Sequence, residues 1–192
     1  RGNLRLSAIG KPDRRIWYDV NKPLDQADLT PATRIKFLYG YILEELLLLC
    51  SNISGHEVTD QQKEVEVEGV TGHQDCIIDG VVVDCKSASG VGFDKFKHNK
   101  LAEDDPFGYV AQISAYAEAN DIDQAAFLAI NKSTGEICLT KLHQMDMINA
   151  KQRISHLKGL VSQDTLPDRC YSDIPDGKSG NRKLPVSCVY CG

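Results

Sequence analysis

The sequence predicts a mixed α/β domain, and three observations support this fold class. Helix-like and strand-like segments follow one another in the order helix, three-strand meander, helix, strand, strand, helix. The segment from Glu64 to Val70 alternates charged and valine side chains, which is typical of a strand with one buried face. Asp79-Gly80 separates two short apolar segments, and this dipeptide favours a tight turn between antiparallel strands. These patterns together favour a sheet flanked by helices.

Capping residues and helix propensity predict three helices. Thr30 suits the N-cap and Pro31 the first position of a helix that extends to about Cys50. The second helix covers Pro106 to Asn120, where several alanines favour a helix. The third covers Met145 to Gly159.

The other predicted strands are short. They lie at Asp75 to Ile78, Val81 to Cys85, Ala125 to Ile130 and Glu136 to Thr140. The opening segment, Leu4 to Val20, mixes basic and aromatic residues and has no pattern that assigns it. After Leu166-Pro167 the sequence becomes irregular. We therefore expect one domain over residues 1–166, followed by an irregular tail over residues 167–192.

The composition is that of an ordinary globular protein. The chain has 192 residues, of which 42% are hydrophobic and 26% charged, and its formal net charge is −5. This negative charge argues against a general binder of polyanions, so any contact with nucleic acid requires a local basic patch. The longest apolar run, Leu46 to Cys50, is too short to span a bilayer, so no membrane partner is expected.

The cysteine content indicates a reducing environment. Seven cysteines are scattered along a chain that has enough apolar residues for a normal core. This pattern, with no apparent signal peptide, predicts reduced thiols and a cytoplasmic location. Cys188 and Cys191 have the spacing of a metal-ligand pair, and Cys170 precedes them. We interpret this pair as a zinc site or as no site at all.

Two carboxylates and a lysine are expected to meet at the predicted hairpin. Asp75 begins one strand, and Asp84 and Lys86 end the next, two residues apart and therefore on one face. Carboxylate oxygens suit Mg²⁺ or Mn²⁺, which keep coordination positions open for phosphate oxygens. Such a cation activates water, while Lys86 orients that water or stabilises charge on the phosphorane. The set predicts metal-assisted hydrolysis of a phosphodiester.

The acid-x-Lys pair alone is a weak signal, because such pairs are usually surface ion pairs. Its context strengthens the prediction. Val81 to Val83 form an apolar strand that ends in charged residues, and charge at the rim of a core is costly without a partner or a metal.

Four short motifs occur in order along the chain. They are Gly40-Tyr41-Ile42-Leu43-Glu44, Gly72-His73-Gln74-Asp75, Asp84-Cys85-Lys86 and Gln112-Ile113-Ser114-Ala115-Tyr116. Together they resemble the PD-(D/E)XK nucleases of the RecB-like and lambda-exonuclease-like branch, from about Leu4 to Lys141, and most of all phage-encoded exonucleases. The resemblance implies a restriction-endonuclease-like αβββαβ core with a mixed central sheet. It also implies a metal-dependent DNA exonuclease of phage replication, recombination or host DNA degradation.

The resemblance further implies a metal-binding set. Asp75 and Asp84 would bind Mg²⁺ or Mn²⁺, together with the backbone carbonyl of Cys85. Glu44 would complete the metal shell or hold a metal-bound water. Glu45 is the fallback, since it is the neighbouring acid.

Further roles follow from the same resemblance. Lys86 would be the catalytic lysine. Gln112 and Tyr116 lie four residues apart, hence on one helical face, and would contact the DNA end or orient Lys86. His73 would touch a phosphate, or be a turn residue without a role.

A basic stretch follows this set. We interpret it as a loop that tracks phosphates or separates strands, whose aromatic residues either stack on a released base or belong to the core. Its members are Lys95, Lys97, His98, Lys100, Phe93 and Phe96. A weaker basic candidate in the tail comprises Lys178, Arg182 and Lys183.

Two other functions remain open beside a DNA exonuclease. One is a RecB-like nuclease of CRISPR adaptation. Several RecB-like relatives hold an iron–sulfur cluster on one cysteine before the core and three after it, so the resemblance makes Cys170, Cys188 and Cys191 candidates for such a cluster. The matching early segment, Gly10 to Arg15, contains no cysteine, however. The other is a nucleic-acid-binding protein that does not cleave, which the intact acidic set and lysine argue against. The expected partner is DNA, as a single strand or a duplex end. Lambda-type relatives form rings, so a homo-oligomer also remains open.

Overall fold

The computed structural model describes residues 2–23, 28–88, 90–185 and 188. Its α-helices are α1 (Asp13–Asn21), α2 (Pro31–Ile53), α3 (Val91–Lys97), α4 (Tyr109–Asn120) and α5 (Ala150–Ser162). Its strands are β1 (Val58–Thr59), β2 (Glu64–Val67), β3 (Val70–His73), β4 (Cys76–Ile78), β5 (Val81–Ala88), β6 (Ala125–Asn131), β7 (Ile137–Leu142), β8 (Ile174–Pro175) and β9 (Arg182–Lys183). Short 3₁₀ helices lie at Leu6–Ala8 and Gln144–Asp146.

A five-stranded mixed sheet lies at the centre of the fold. Its strand order is β1-β4-β5-β6-β7. Strands β5 and β6 are parallel, and the other neighbours are antiparallel. Helices α3 and α4 lie in the chain between β5 and β6, since parallel strands need a long crossover connection. The predicted mixed α/β class, with helices flanking a mixed sheet, is confirmed.

The Asp79-Gly80 turn joins β4 to β5, as predicted. Both residues have positive φ, 51° and 80°, which a two-residue hairpin turn of this kind requires. The turn sets Ile78 opposite Val81. The Asp79 carboxylate also accepts a hydrogen bond of 2.9 Å from the backbone N–H of Glu57, which ties the chain before edge strand β1 to this turn.

The predicted meander is wrong in its first strand. Residues 64–70 do not form one strand of the central sheet; β2 and β3 instead pair with each other as a separate hairpin, and β1 takes the sheet edge. The cause is a second tight turn at Glu68 and Gly69, whose φ angles are 50° and 71°. The period-two pattern is still that of a strand, because Val65 and Val67 are buried and their glutamate neighbours exposed.

Each face of the sheet is covered by its own apolar layer. Along β5 the side chains alternate, so Val82 belongs to the layer formed with α3, α4 and α5, whereas Val83 belongs to the layer formed with α2. The second layer is smaller, and Leu47 and Leu48 are its buried residues from α2. The first layer therefore forms most of the core.

Several helix boundaries differ from the predictions. Helix α4 begins at Tyr109, not Pro106, because the Asp105 carboxylate accepts hydrogen bonds from the backbone N–H groups of Gly108 and Val110 (2.9 and 2.8 Å). Helix α5 begins at Ala150, not at Met145, because the Asn149 side chain caps it.

Two terminal segments contain structure that the sequence did not predict. Helix α1 lies within the unassigned opening segment and docks near α5, where Trp17 Nε1 donates to the carbonyl of Gln163 at 2.9 Å. The segment after residue 166 contains the β8-β9 hairpin. In the described part of the chain no helix is both long and apolar enough to cross a membrane.

Candidate active site

Strand β5 places Asp84 and Lys86 on the same face of the sheet. Both side chains lie on the α4 side, opposite Phe127 and Ala129 of β6. The strand continues to Ala88, so the prediction that these residues end it is wrong. They are recessed as a result: the Asp84 side chain is 0% exposed and the Lys86 side chain 17% exposed.

Asp75 lies between β3 and β4, next to Asp84. Its Oδ2 accepts a hydrogen bond of 2.7 Å from the backbone N–H of Cys85, which fixes the carboxyl beside β5. The Asp84 carboxylate lies close enough to raise the pKa of Asp75, because two neighbouring carboxylates repel each other.

Lys86 forms an ion pair with Asp84 within this buried group. The Lys86 ammonium contacts Oδ2 of Asp84. Among the described residues, this oxygen has no partner that satisfies hydrogen-bond geometry. The Oδ1 atom accepts a long hydrogen bond of 3.4 Å from Gln112 Nε2. The buried Asp84 carboxylate is therefore incompletely satisfied by the protein.

Burial and like charge shift the pKa values of these groups. Burial first, and the Asp84 carboxylate second, raise the pKa of Asp75 to about 8. Burial also raises the pKa of Asp84, against the Lys86 ammonium, which lowers it. For Lys86, burial alone would lower the pKa, but Asp84 and Asp75 together hold it above its usual value. Lys86 thus remains a cation, and Asp75 keeps its proton to a higher pH than an ordinary aspartate.

The Glu44 side chain, on α2, lies near Lys86 and Asp84. Burial raises the pKa of its carboxyl, and its charge interacts with Lys86 and Asp84. Gln62 Nε2 donates to its Oε1, so the segment between β1 and β2 holds the Glu44 side chain. Glu45, the fallback candidate, is exposed. The geometry thus favours Glu44 over Glu45.

These residues fit a hard divalent cation, although they do not form a compact ligand cluster. Within the described ranges, no three His, Cys, Asp or Glu side chains converge closely enough to hold a metal ion. The donors are nevertheless carboxylate oxygens, which Mg²⁺ and Mn²⁺ prefer. The Lys86 ammonium contacts Asp84 Oδ2 without hydrogen-bond geometry, and the pKa of Asp75 is raised to about 8, so the two buried carboxyls can accept a further cation.

Gln112 and Tyr116 lie on one face of α4, as predicted from their spacing. Gln112 Nε2 donates to the Tyr116 hydroxyl at 3.2 Å as well as to Asp84. The Gln112 amide therefore contacts Asp84 and not Lys86. Tyr116 is buried and is among the largest buried side chains in the core. Its predicted contact with a DNA end stays a prediction.

Two site residues were missed by the sequence analysis. The Lys86 Nζ atom lies 5.0 Å from the centroid of the Tyr109 ring, a cation–π contact that confines the ammonium. Tyr109 precedes Gln112 by three residues and Tyr116 by seven, and this helical spacing was a usable signal. Gln62, which holds Glu44, has no such signal, because the loop that carries it has no regular pattern.

The basic stretch is a helix and not a loop. Helix α3 covers Val91–Lys97, and both Phe93 and Phe96 are buried in the main core, so neither is placed to stack on a base. The three lysines differ in their surroundings. Lys95 forms an ion pair with Asp104 (2.7 Å), Lys97 forms one with Glu136 (2.7 Å), and Lys100 is exposed.

The remaining candidates are described by their own local contacts. His73 is exposed on β3 and lies 3.9 Å from Glu64 across the hairpin. Cys170 and Cys188 are free thiols, and Cys191 lies outside the described residues. In the tail, Arg182 and Lys183 form ion pairs with Asp173 and Asp176 (both 2.9 Å).

Comparisons with known proteins support the fold. No protein-family model and no curated protein matches the sequence. The structure of a phage-related exonuclease from Haemophilus somnus 129PT aligns with 83% of this chain and 90% of its own, with a TM-score of 0.53 and 15% identity. An alkaline exonuclease from Laribacter hongkongensis aligns over 84% of both chains, with a TM-score of 0.52 and 13% identity. The chain therefore shares the fold of these two exonuclease structures, in line with the resemblance that the four motifs indicated.

Proposed function

We propose that this chain is a metal-dependent DNA exonuclease of the PD-(D/E)XK type, which hydrolyses phosphodiester bonds from DNA ends. The observation that carries the proposal is the recessed group of Asp75, Asp84 and Lys86. Its two carboxyls are buried side by side, and its lysine remains charged beside them. The two aligned structures are those of exonucleases, and this likeness supports the same activity for this chain. The process we propose is phage DNA replication, recombination or degradation of host DNA.

Four groups would hold the cation. They are the carboxylates of Asp75, Asp84 and Glu44, and the backbone carbonyl of Cys85. When bound, Mg²⁺ or Mn²⁺ neutralises charge at the scissile phosphate and lowers the pKa of water. On loading, Asp75 would release the proton that it keeps in the cation-free protein.

Lys86 would act as a hydrogen-bond donor to the reacting phosphate or to the attacking water. Its raised pKa keeps the ammonium protonated, so it does not serve as a general base while Asp84 is ionised beside it. The Tyr109 ring and the Asp84 carboxylate confine Nζ from two sides. A donor held in advance at the place where negative charge develops contributes most to a reaction of this class.

Gln112 would position Asp84. Its amide contacts both Oδ1 of Asp84 and the hydroxyl of buried Tyr116. Because Tyr116 is fixed in the core, this chain of contacts restricts rotation of the Asp84 carboxylate. Positioning of a metal ligand by such a neighbour is typical of metal sites.

The test is release of acid-soluble nucleotides from linear DNA. We expect digestion in Mn²⁺ or Mg²⁺ and none in excess chelator. Asp84→Asn is the variant that tests the site, because its amide has the shape of the carboxyl without its charge. It should fold normally and lose digestion. Equal digestion by Asp84→Asn, or full activity in chelator, would rule out this site. DNA binding without cleavage under all metal conditions would favour a protein that binds but does not cleave.

A further inference from the structure

The N-terminal half of α2 exposes large aromatic side chains. Phe37 is 54% exposed and Tyr41 66% exposed, whereas the buried residues of this helix, Leu47 and Leu48, lie in its C-terminal half. Large apolar side chains in a group on a surface mark a binding site more often than an accident of composition. We therefore expect this part of α2 to bind a ligand or a partner.

The two aromatic residues lie on the side of α2 that carries Glu44. Tyr41 precedes Glu44 by three residues and Phe37 by seven, so the three side chains share one helical face. Along the helix axis they lie about 4.5 Å and about 10 Å from Glu44. The exposed aromatic surface thus leads directly to the candidate active site.

Gly40 leaves the same face open. It lies in the middle of α2, although glycine is among the poorest helix formers. A β-carbon built at Gly40 would have no atom within 4 Å, so packing in the described chain does not require glycine there. Absence of a side chain one turn before Glu44 allows a ligand to approach the backbone closely. We call Phe37, Gly40 and Tyr41 the aromatic face.

The charge around the aromatic face is positive. Arg34 precedes Phe37 by three residues, and Lys36 precedes Gly40 by four, so these cations border the face on its two sides. No acidic residue occurs from Leu29 to Leu43, in a chain whose net charge is −5. A ligand that fits this face combines flat apolar groups with negative charge, which describes the bases and phosphates of nucleic acid.

We propose that the aromatic face binds the single strand of a DNA end by stacking. This inference rests on the proposed function and names its substrate as single-stranded or frayed DNA. Phe37 and Tyr41, one helical turn apart, stack on bases of the strand, and Arg34 and Lys36 contact its phosphates. Base stacking on aromatic rings is tolerant of sequence, as a nuclease that digests any end requires.

Binding measured without cleavage tests this proposal. The probe is a fluorescein-labelled oligothymidylate in Ca²⁺ in place of Mn²⁺, and the readout is fluorescence anisotropy. We expect the double variant Phe37→Ala, Tyr41→Ala to bind about tenfold more weakly for each stacking interaction removed. An oligomer of the same length with abasic sites keeps the phosphates, so wild type and variant should bind it equally.

Tyr39→Ala is the matched control. Tyr39 is an aromatic residue of the same helix, 56% exposed, and lies two residues from Phe37 and Tyr41, hence on the opposite side. It should bind the oligothymidylate like wild type. A Tyr41→Trp variant adds a second readout, because its fluorescence should be quenched by DNA; the natural Trp17 is buried.

Three outcomes would overturn the proposal. They are unchanged binding by the double variant, an equal loss in Tyr39→Ala, and a fall in sedimenting mass of the double variant with DNA affinity unchanged. The last result would assign the aromatic face to contact between copies of the chain. Because every readout is binding, a protein without nuclease activity would still support or refute this inference separately from the proposed function.

Discussion

The buried carboxyl of Asp75 links the stability of the cation-free protein to pH. Its ordinary pKa is 3.8, and the fold raises it to about 8. A carboxyl that binds its proton more tightly when folded contributes stability at low pH and loses it as pH rises through the folded pKa. We therefore expect this contribution to decline between about pH 4 and about pH 8, measured as a falling Tm in chelator.

The variant Asp75→Asn isolates this effect. The amide does not ionise, so the fall in Tm with pH should be shallower than in wild type. Mn²⁺ should raise the wild-type Tm more at about pH 8 than at about pH 5, because binding then displaces fewer protons. Identical pH profiles of wild type and Asp75→Asn would show that Asp75 does not hold the proton.

A second expectation at the residue scale concerns Lys86. Lys86→Ala should lower turnover by about 100-fold or more, because the donor acts in the transition state. Affinity for DNA should change little, since the ammonium is recessed and paired with Asp84. Single-turnover rates and anisotropy on the same variant separate the two effects. A parallel collapse of DNA affinity would make Lys86 a phosphate anchor instead, and Lys151→Ala on α5, where the lysine is paired with Glu118, is the control for loss of a lysine.

The sequence indicated where Asp75, Asp84 and Lys86 lie because strand periodicity and a two-residue turn are local properties. Their degree of burial was not predictable in the same way. Strand β5 continues to Ala88 because it pairs along its length with β6, which lies about forty residues further along the chain. The contact between Lys86 and Tyr109 likewise depends on how α4 crosses the sheet. Such tertiary contacts leave no local pattern.

At the scale of elements, α3 changes what the basic residues can do. Lys95 and Lys97 are held by acidic partners, so they contact phosphates only by exchanging those partners. We still expect Lys95, Lys97 and Lys100, changed together to Ala, to weaken DNA binding and flatten its salt dependence. For a single strand, the slope of log K against log salt should become shallower by about 0.7 for every phosphate that a lysine had neutralised.

The matched control uses the tail. Lys178→Ala with Lys183→Ala removes positive charge from another part of the chain, so a general charge effect would appear in both variants. Binding titrations at several salt concentrations give the slopes. An unchanged slope in the α3 variant would show that these lysines do not contact phosphate and that α3 is only a core helix.

Two elements were assigned wrongly for identifiable reasons. Glu68-Gly69 was not recognised as a turn, so the hairpin of β2 and β3 was taken as one strand. In α3 the three-residue spacing of Phe93 and Phe96 fits a buried helical face, but Gly90 and Gly92 made the segment resemble a loop. In both cases the sequence contained two conflicting local patterns, and the prediction followed the pattern that the structure does not show.

At the scale of the whole molecule, the proposed function and the recessed site together lead us to expect that the substrate enters as a single strand. The Asp84 side chain is fully buried and that of Lys86 nearly so, in a site bordered by α2, α4 and the segment around Gln62. A continuous duplex would have to open before a phosphate reached these groups. Unpairing costs least at a terminus, where a base has only one stacked neighbour.

We therefore expect the protein to require a DNA end. Covalently closed circular duplex should resist digestion in Mn²⁺, while the same molecule, once linearised, should be degraded progressively. Gel analysis of both forms in one reaction measures this, with a closed single-stranded circle as control for strand preference. That circle is unpaired DNA without an end. If it also resists digestion, the protein requires an end and not merely an unpaired strand. Nicking of closed duplex as fast as linear DNA is digested would show instead that the recessed carboxyls reach internal phosphates, as in an endonuclease.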